Sequence, residues 1–377
     1  MNQKTILISI NASWNILNFR AGLIRALQGA GYRVLALAPP DQWSEQLVQL
    51  GVEYHPLPMD KKGVSPARDG LLFLRYLAAL RRLRPDVFLG YTAKPNIYGS
   101  LAAQALGIKV INNVSGLGTA FIQGGWLMRT VSTLYRLAFR RSEVVFFQNG
   151  EDRDLFLDRQ IVEPAKARLL PGSGIDLERF RPRTVVAGRG TVSFLLVARM
   201  LWDKGVGEFV DAARAVRDRA PEARFQLLGF LDAENRTAVS RADVERWQQE
   251  GVVDYLGHSD DVRPFIAAAD CVVLPSYREG LPRSLLEASA MAKPIIATDV
   301  PGCRHITEHG VNGFLCAPRD AGSLAEAMLT VLRLSKAERE ALGAAGRAKA
   351  RAEFDERIVT ERYVEAIAAA LDNHPRS

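Results

Sequence analysis

Glu279 and Glu287 stand eight residues apart in Leu274-Pro-Ser-Tyr-Arg-Glu-Gly-Leu-Pro-Arg-Ser-Leu-Leu-Glu-Ala288, where the pattern passes from strand to turn to helix. The apolar run Cys271-Val-Val-Leu274 reads as a buried strand. Gly280 permits a tight turn, and Pro282 suits the first helical position, where its missing N–H costs nothing. The free N–H groups of such a helix start favour a phosphate. Glu279 then borders an anion cradle that includes Gly280 and Leu281, and Glu287 lies about a turn and a half into the helix. This arrangement suits a sugar diphosphate held by both phosphates and hydroxyls. Arg199 and Lys204 follow a second apolar run, 192–198, and cations at a strand end can neutralise a departing diphosphate.

These residues are positioned by an alternation of strand-like and helical patterns. Strands are expected at 5–10, 34–38, 87–89, 110–113 and 144–148, with helices at 21–29, 43–50, 69–83, 97–105 and 126–140 and another opening at Glu151. Residues 171–183, rich in Pro, Gly and charge, read as a hinge. Strands then resume at 192–198, 225–228, 252–256, 271–274, 294–297 and 313–316, with helices at 207–218, 261–268, 281–291 and 321–334. Two such blocks predict an α/β fold of two doubly wound, Rossmann-like domains, 1–170 and 184–353, followed by a final helix and tail over 354–377.

Polar loops end three strands of the first block: Asn11-Ala-Ser-Trp-Asn15, Tyr91-Thr-Ala-Lys-Pro-Asn96 and Asn112-Asn-Val-Ser-Gly-Leu-Gly118. Successive strand-end loops make one rim of a cleft, so Asn15, Lys94, Asn96, Ser115 and Gly116 are acceptor-side candidates, with loop capping as the competing role. In the second block Gly229 and His258 follow strands and are placed to flank a nucleobase, against a solvated surface role for His258. Asp152-Arg-Asp154 has the spacing of a metal-binding Asp pair, but it opens a helix, where acids satisfy free N–H groups. His305-Ile-Thr-Glu-His309 has a zinc-peptidase spacing that would put both rings on one helical face, yet no third ligand is evident. The expectation is that no metal is bound.

The Glu-x7-Glu spacing, together with Val197-Ala-Arg-Met-Leu-Trp-Asp-Lys-Gly205, Leu170-Pro-Gly-Ser-Gly-Ile-Asp-Leu-Glu-Arg-Phe-Arg-Pro182 and Asp299-Val-Pro-Gly-Cys-Arg304, resembles the retaining family-4 glycosyltransferases. The motifs span most of the second half. The resemblance implies a GT-B fold of two facing Rossmann-like domains, with the C-terminal helix crossing back to the first. It implies that Glu279 holds donor sugar hydroxyls, Glu287 the ribose, and Arg199 and Lys204 the leaving diphosphate. No cofactor is implied beyond a nucleotide-sugar co-substrate, in particular a UDP-sugar. The pattern is most similar to bacterial enzymes that extend polyprenyl-diphosphate-linked saccharides. The chain departs from the family in its first loop, which lacks the usual glycines, and at Ser115-Gly116, where many members carry a histidine. A sugar-nucleotide epimerase shares the architecture but needs an acid/base set, for which only Glu279 is an obvious member.

The chain has 377 residues and a net charge of +7. Residues 1–170 carry twenty-one Lys and Arg against twelve Asp and Glu, a net of +9, and the remainder carries −2. A basic half can meet nucleic acid, an anionic membrane or a phosphorylated substrate. Its aromatics fall at apolar periodicities rather than as stacking platforms, which argues against nucleic acid. The helices at 70–84 and 126–141 place apolar residues beside Arg clusters and, with Phe121-Ile122 and Trp126-Leu-Met128, predict peripheral contact with anionic lipid. Three cysteines without paired spacing, and a strand where a signal peptide would stand, point to a cytoplasmic enzyme on the inner face of the plasma membrane.

Overall fold

The computed structural model describes residues 3–60, 65–116, 125–183, 191–231 and 237–372. The chain divides into two compact units, Met1–Ser173 with Glu356–Ser377, and Gly174–Asp355.

The first unit holds seven parallel strands: β1 (Thr5–Ser9), β2 (Arg33–Ala38), β3 (Glu53–Pro56), β4 (Val87–Tyr91), β5 (Lys109–Val114), β6 (Val144–Phe147) and β7 (Ala167–Leu169), in the order 3-2-1-4-5-6-7. Successive side chains point to opposite faces, so both faces must be covered and the strands read as continuous apolar runs. Ile6 and Ile8 join one core with Leu23, Ile24 and Leu27 of the helix Ala21–Gly29. Leu7 packs on the other face with Leu72, Tyr76 and Leu80 of the helix Pro66–Leu83. The final helix, Glu356–Asp372, buries Val359, Tyr363, Ala366, Ile367 and Ala370 in the first of these cores.

The second unit holds six parallel strands: β8 (Ser193–Val197), β9 (Arg224–Leu228), β10 (Asp254–Tyr255), β11 (Cys271–Leu274), β12 (Ile295–Thr298) and β13 (Gly313–Cys316), in the order 10-9-8-11-12-13. Phe194 and Leu196 pack with the helices Val206–Arg217 and Ala321–Arg333, and Leu195 packs on the opposite face with Arg283–Ala290. In each sheet the strand order reverses once, between β1 and β4 and between β8 and β11. The crevice outside the strand ends at such a switch point is where doubly wound sheets bind ligands.

Several elements differ from expectation. The edge strands β3 and β7 have three or four residues and no apolar run, so alternation does not signal them. The strand expected at 252–256 pairs only over β10. The helix expected at 43–50 is a 3-10 helix over Ser44–Leu50, and the one at 97–105 opens with a π-type turn over Pro95–Gly99. Within the stretch read as a hinge, Ile175, Leu177 and Phe180 are buried in the second unit's core, and Ile175 N–H donates to the Phe354 carbonyl at 2.8 Å.

Candidate active site

The loop after β8 carries Arg199 and Lys204, and the loop after β11 carries Glu279. They meet because Gly205 takes a left-handed φ of 72° and presses on the Pro275 carbonyl, where a Cβ would lie 2.0 Å from the oxygen. Only glycine satisfies both the angle and the approach. The Asp203 carbonyl accepts bonds from Tyr277 N–H at 3.0 Å and Ser276 Oγ at 3.1 Å. The Thr298 hydroxyl, at the end of β12, donates to the Ser276 carbonyl. Gly302 (φ 82°) closes the arrangement, since a Cβ there would lie 2.4 Å from the Gly280 carbonyl oxygen. On this frame the Lys204 ammonium donates to Glu279 Oε1, with the two side chains 21% and 13% exposed. Arg199 is exposed.

Four residues after Glu279 the helix Arg283–Ala290 begins, with Pro282 as its N-cap, one position outside the helical role expected for that proline. Gly280 and Leu281 are half-buried between Glu279 and this helix. Glu287 accepts a 3.1 Å bond from Arg283 Nε, while Arg283 Nη1 donates to the Gly174 carbonyl at 3.0 Å. Burial pushes the Glu287 carboxyl above its ordinary range, and the Arg283 charge opposes that shift. Glu287 thus offers the helix a carboxylate whose charge depends on Arg283.

Gly229, after β9, has φ 153°, and a Cβ there would lie 1.7 Å from the Ala198 carbonyl oxygen, so its glycine is required by the loop that leads to Arg199. The next residue, Phe230, stacks on His258 with centroids 4.4 Å apart and planes inclined by 25°. His258 is exposed. The stack presents a flat aromatic edge beside the end of β9.

In the first unit the five acceptor-side candidates separate. Asn15 lies not in a loop but in the helix Ser13–Phe19, where its Nδ2 donates to Asn11 Oδ1 at 3.3 Å. Lys94 is held by Asp69 at 2.9 Å, with side chains 16% and 6% exposed. Asn96 has no exposed surface; its amide donates to the Asn113 carbonyl at 2.8 Å and accepts from Asn112 at 2.9 Å. Lys94 therefore ties the end of β4 to the helix Pro66–Leu83, and Asn96 ties it to β5, as paired or saturated interior groups do. Ser115 and Gly116 (φ 140°) remain half-buried just beyond β5. Pattern reading missed Arg20, which is 4% exposed, has its guanidinium 4.3 Å over the Tyr91 ring, and has no hydrogen-bond partner for Nε among the described residues. It also missed Thr92, which takes φ 63° where β4 ends. A lone Arg in a helical pattern reads as solvated, and a strained φ has no composition signal.

The Asp-x-Asp segment is a helix start in which Asn149 is the cap. Its side chain accepts from Asp152 N–H at 2.7 Å and donates to Asp152 Oδ2 at 3.2 Å, while Asp154 pairs with Arg153. His305 and His309 do not share a helical face, because the helix ends at Ile306 and His309 Nδ1 accepts from Leu315 N–H at 3.1 Å. Among the described residues no group of three or more His, Cys, Asp or Glu is arranged to hold a metal ion.

Residues 18–172 match the family model described as glycosyl transferase 4-like domain, and residues 191–333 match glycosyl transferases group 1. The chain is 28% identical, over 96% of its length and 98% of the relative's, to the N,N'-diacetylbacillosaminyl-diphospho-undecaprenol alpha-1,3-N-acetylgalactosaminyltransferase of Campylobacter jejuni. It is 23% identical, over 72% of each chain, to the UDP-Gal:alpha-D-GlcNAc-diphosphoundecaprenol alpha-1,3-galactosyltransferase of Escherichia coli. Its fold is shared with a glycosyltransferase of Rickettsia africae (TM-score 0.79, 16% identity, 99% of this chain and 100% of that one). It is also shared with Anabaena HepE solved with UDP and glucose (TM-score 0.77, 19% identity, 97% and 99%). The epimerase reading gains no support from these likenesses. With both units matched and both sheets doubly wound, the chain belongs to the group 1, family-4 type glycosyltransferases of the GT-B fold.

Proposed function

We propose that this glycosyltransferase moves a hexose or N-acetylhexosamine from a UDP-sugar to a polyprenyl-diphosphate-linked saccharide, retaining the anomeric configuration and using no divalent metal. The observation that carries the reading is the Lys204–Glu279 pair at the switch point of the second sheet, with Glu287 on the helix that follows. Lys204 and Arg199 receive the diphosphate as its charge grows. Glu279, released from Lys204, accepts from donor sugar hydroxyls, and Glu287 accepts from the ribose. Fixed cations aimed at developing charge are a large source of catalysis, and they fill the place a metal would take. The diphosphate leaves, an oxocarbenium-like centre forms, and the acceptor hydroxyl attacks from the side the diphosphate left, its proton passing to the leaving phosphate oxygen. Gly229, Phe230 and His258 border the uracil, and Ser115 and Gly116 face the acceptor.

The names of the Campylobacter and Escherichia relatives both describe lipid-diphosphate-linked saccharides, which supports the acceptor class. The basic first half and the exposed Trp126 support a peripheral place on the inner face of the membrane rather than contact with nucleic acid. A panel of nucleotide sugars tested by thermal shift, followed by transfer assays with and without EDTA, tests the donor. At a hundred times its dissociation constant the donor stabilises by about 2.7 kcal/mol. A UDP-sugar should raise the midpoint and be turned over equally in EDTA. A rate lost to EDTA and restored by manganese would overturn metal independence.

A further inference from the structure

Two side-chain ties join the same two segments of the second unit. Lys204 pairs with Glu279, and four residues after that lysine Glu208 accepts a 2.7 Å hydrogen bond from the hydroxyl of Tyr277, two residues before that glutamate. Glu208 sits in the first turn of the helix Val206–Arg217, and its second oxygen, Oε2, is buried with no hydrogen-bond partner. The Tyr277 hydroxyl is thus the one hydrogen-bond donor to that carboxylate among the described residues. The ring beneath this bond is covered by Arg319, whose guanidinium lies 4.5 Å from its centroid and whose backbone takes φ 59°. A strained non-glycine angle of this kind persists only where surrounding contacts hold it. Burial, with Glu208 adding to it, pushes the Tyr277 hydroxyl up to about 12, so it stays protonated and donates at neutral pH.

A half-paired buried carboxylate is costly, and it is drawn to a nearby cation. The nearest cation along the chain is Lys204, one short turn back across Gly205. We propose that Tyr277 is a positioning residue for glycosyl transfer: by occupying Glu208 it prevents that carboxylate from capturing Lys204, and so keeps the lysine with Glu279 and free to pass to the donor diphosphate. The inference rests on the donor-site reading of Lys204 and Glu279. It adds a carboxylate that competes for the same lysine and a tyrosine that holds it off.

The test compares Tyr277→Phe, Glu208→Gln and the double variant in the full chain, with kcat and KM measured for the acceptor and for the UDP-sugar that the donor panel selects. Removing the hydroxyl alone should lower kcat about tenfold and leave the acceptor KM unchanged. Glu208→Gln removes the competing charge while its amide oxygen still accepts from Tyr277, so it should lose less than Tyr277→Phe does. The double variant should recover most of the single variant's loss, a rescue that a merely structural tyrosine would not show. Full activity in Tyr277→Phe overturns the proposal, as does a double variant no better than the single. If Tyr277→Phe fails to fold, Glu208→Gln decides, and a loss beyond about tenfold there contradicts the competition. Lys204→Ala and Glu279→Gln serve as controls. Their retaining activity would sink the donor-site reading itself, whereas their inactivity beside a fully active Tyr277→Phe sinks only the positioning role.

Discussion

Glu279 and Lys204 are partly shielded, with side chains 13% and 21% exposed, so their attraction is stronger than that of a solvated pair and each is held ready for a substrate group. Lys204→Ala and Glu279→Gln should each lower kcat by about 10²–10³ while the thermal midpoint moves little, since the lost contact strengthens as the leaving group departs. Steady-state rates beside melting curves measure the split. Glu287 gives a pH signature. Its pKa is raised, so its contribution to stability is fully present below the ordinary carboxyl value and is lost as pH rises through the raised one. The same shift means that it protonates earlier than an exposed glutamate on acidification. Donor affinity, measured by calorimetry, should therefore weaken on acidification, at a higher pH than an exposed glutamate would set, and Glu287→Gln should flatten that dependence. The positions of Glu279, Glu287 and Lys204 at strand ends and on the following helix were legible in the sequence because each stands at a fixed distance from an apolar run. Lys94 and Asn96 were not, because a polar residue at a strand end looks the same whether it faces a cleft or saturates an interior. The partners that decide the matter, Asp69, Asn112 and Asn113, come from other elements.

The elements that position the site depend on glycines of two kinds. Gly205, Gly229 and Gly302 combine positive φ with a backbone oxygen within 2.4 Å of a built Cβ, so each loop crossing at the strand ends requires the missing side chain. Gly229→Ala should destabilise by about 1–3 kcal/mol or more, because the Ala198 carbonyl would have to move. Gly70, inside the helix Pro66–Leu83, meets nothing within 4 Å, and Gly70→Ala should stabilise by about 0.5–1 kcal/mol. Urea melts of the two variants check both signs. The central strands were readable because burial on both faces leaves uninterrupted runs such as Ile6-Leu-Ile8 and Cys271-Val-Val-Leu274. The helix Ser13–Phe19 was hidden because its Asn11-Ala-Ser-Trp-Asn15 start reads as a loop. Its first N–H group is met from elsewhere in the chain, with Ser13 N–H donating to Asp41 Oδ2 at 2.9 Å.

Over the whole molecule, the asymmetry of charge is the feature that composition reveals and that packing then sorts. Among the residues of the proposed membrane contact, Trp126 is 75% exposed and Leu137 half-exposed, and Arg129, Arg140 and Arg141 are exposed. Arg136 is committed instead to the Arg159 and Gln160 carbonyls at 2.9 and 3.0 Å, and Phe121 and Ile122 lie outside the described residues. No helix among the described residues is long and apolar enough to cross a membrane. Binding to phosphatidylglycerol vesicles should therefore weaken with salt, at about 1 kcal/mol per basic residue, and fall when Trp126→Ala is combined with Arg129→Glu, Arg140→Glu and Arg141→Glu. Equal sedimentation of variant and wild type would remove this surface from the account. The most direct test of the central claim is product analysis: the protein, an isotopically labelled UDP-sugar and an undecaprenyl-diphosphate-linked saccharide are incubated together, and the anomeric configuration of the new linkage is read by NMR. The account predicts label in the lipid-linked product with the donor's α configuration kept, and none with Glu279→Gln. An inverted β linkage, or label transferred equally well by Glu279→Gln, would contradict it.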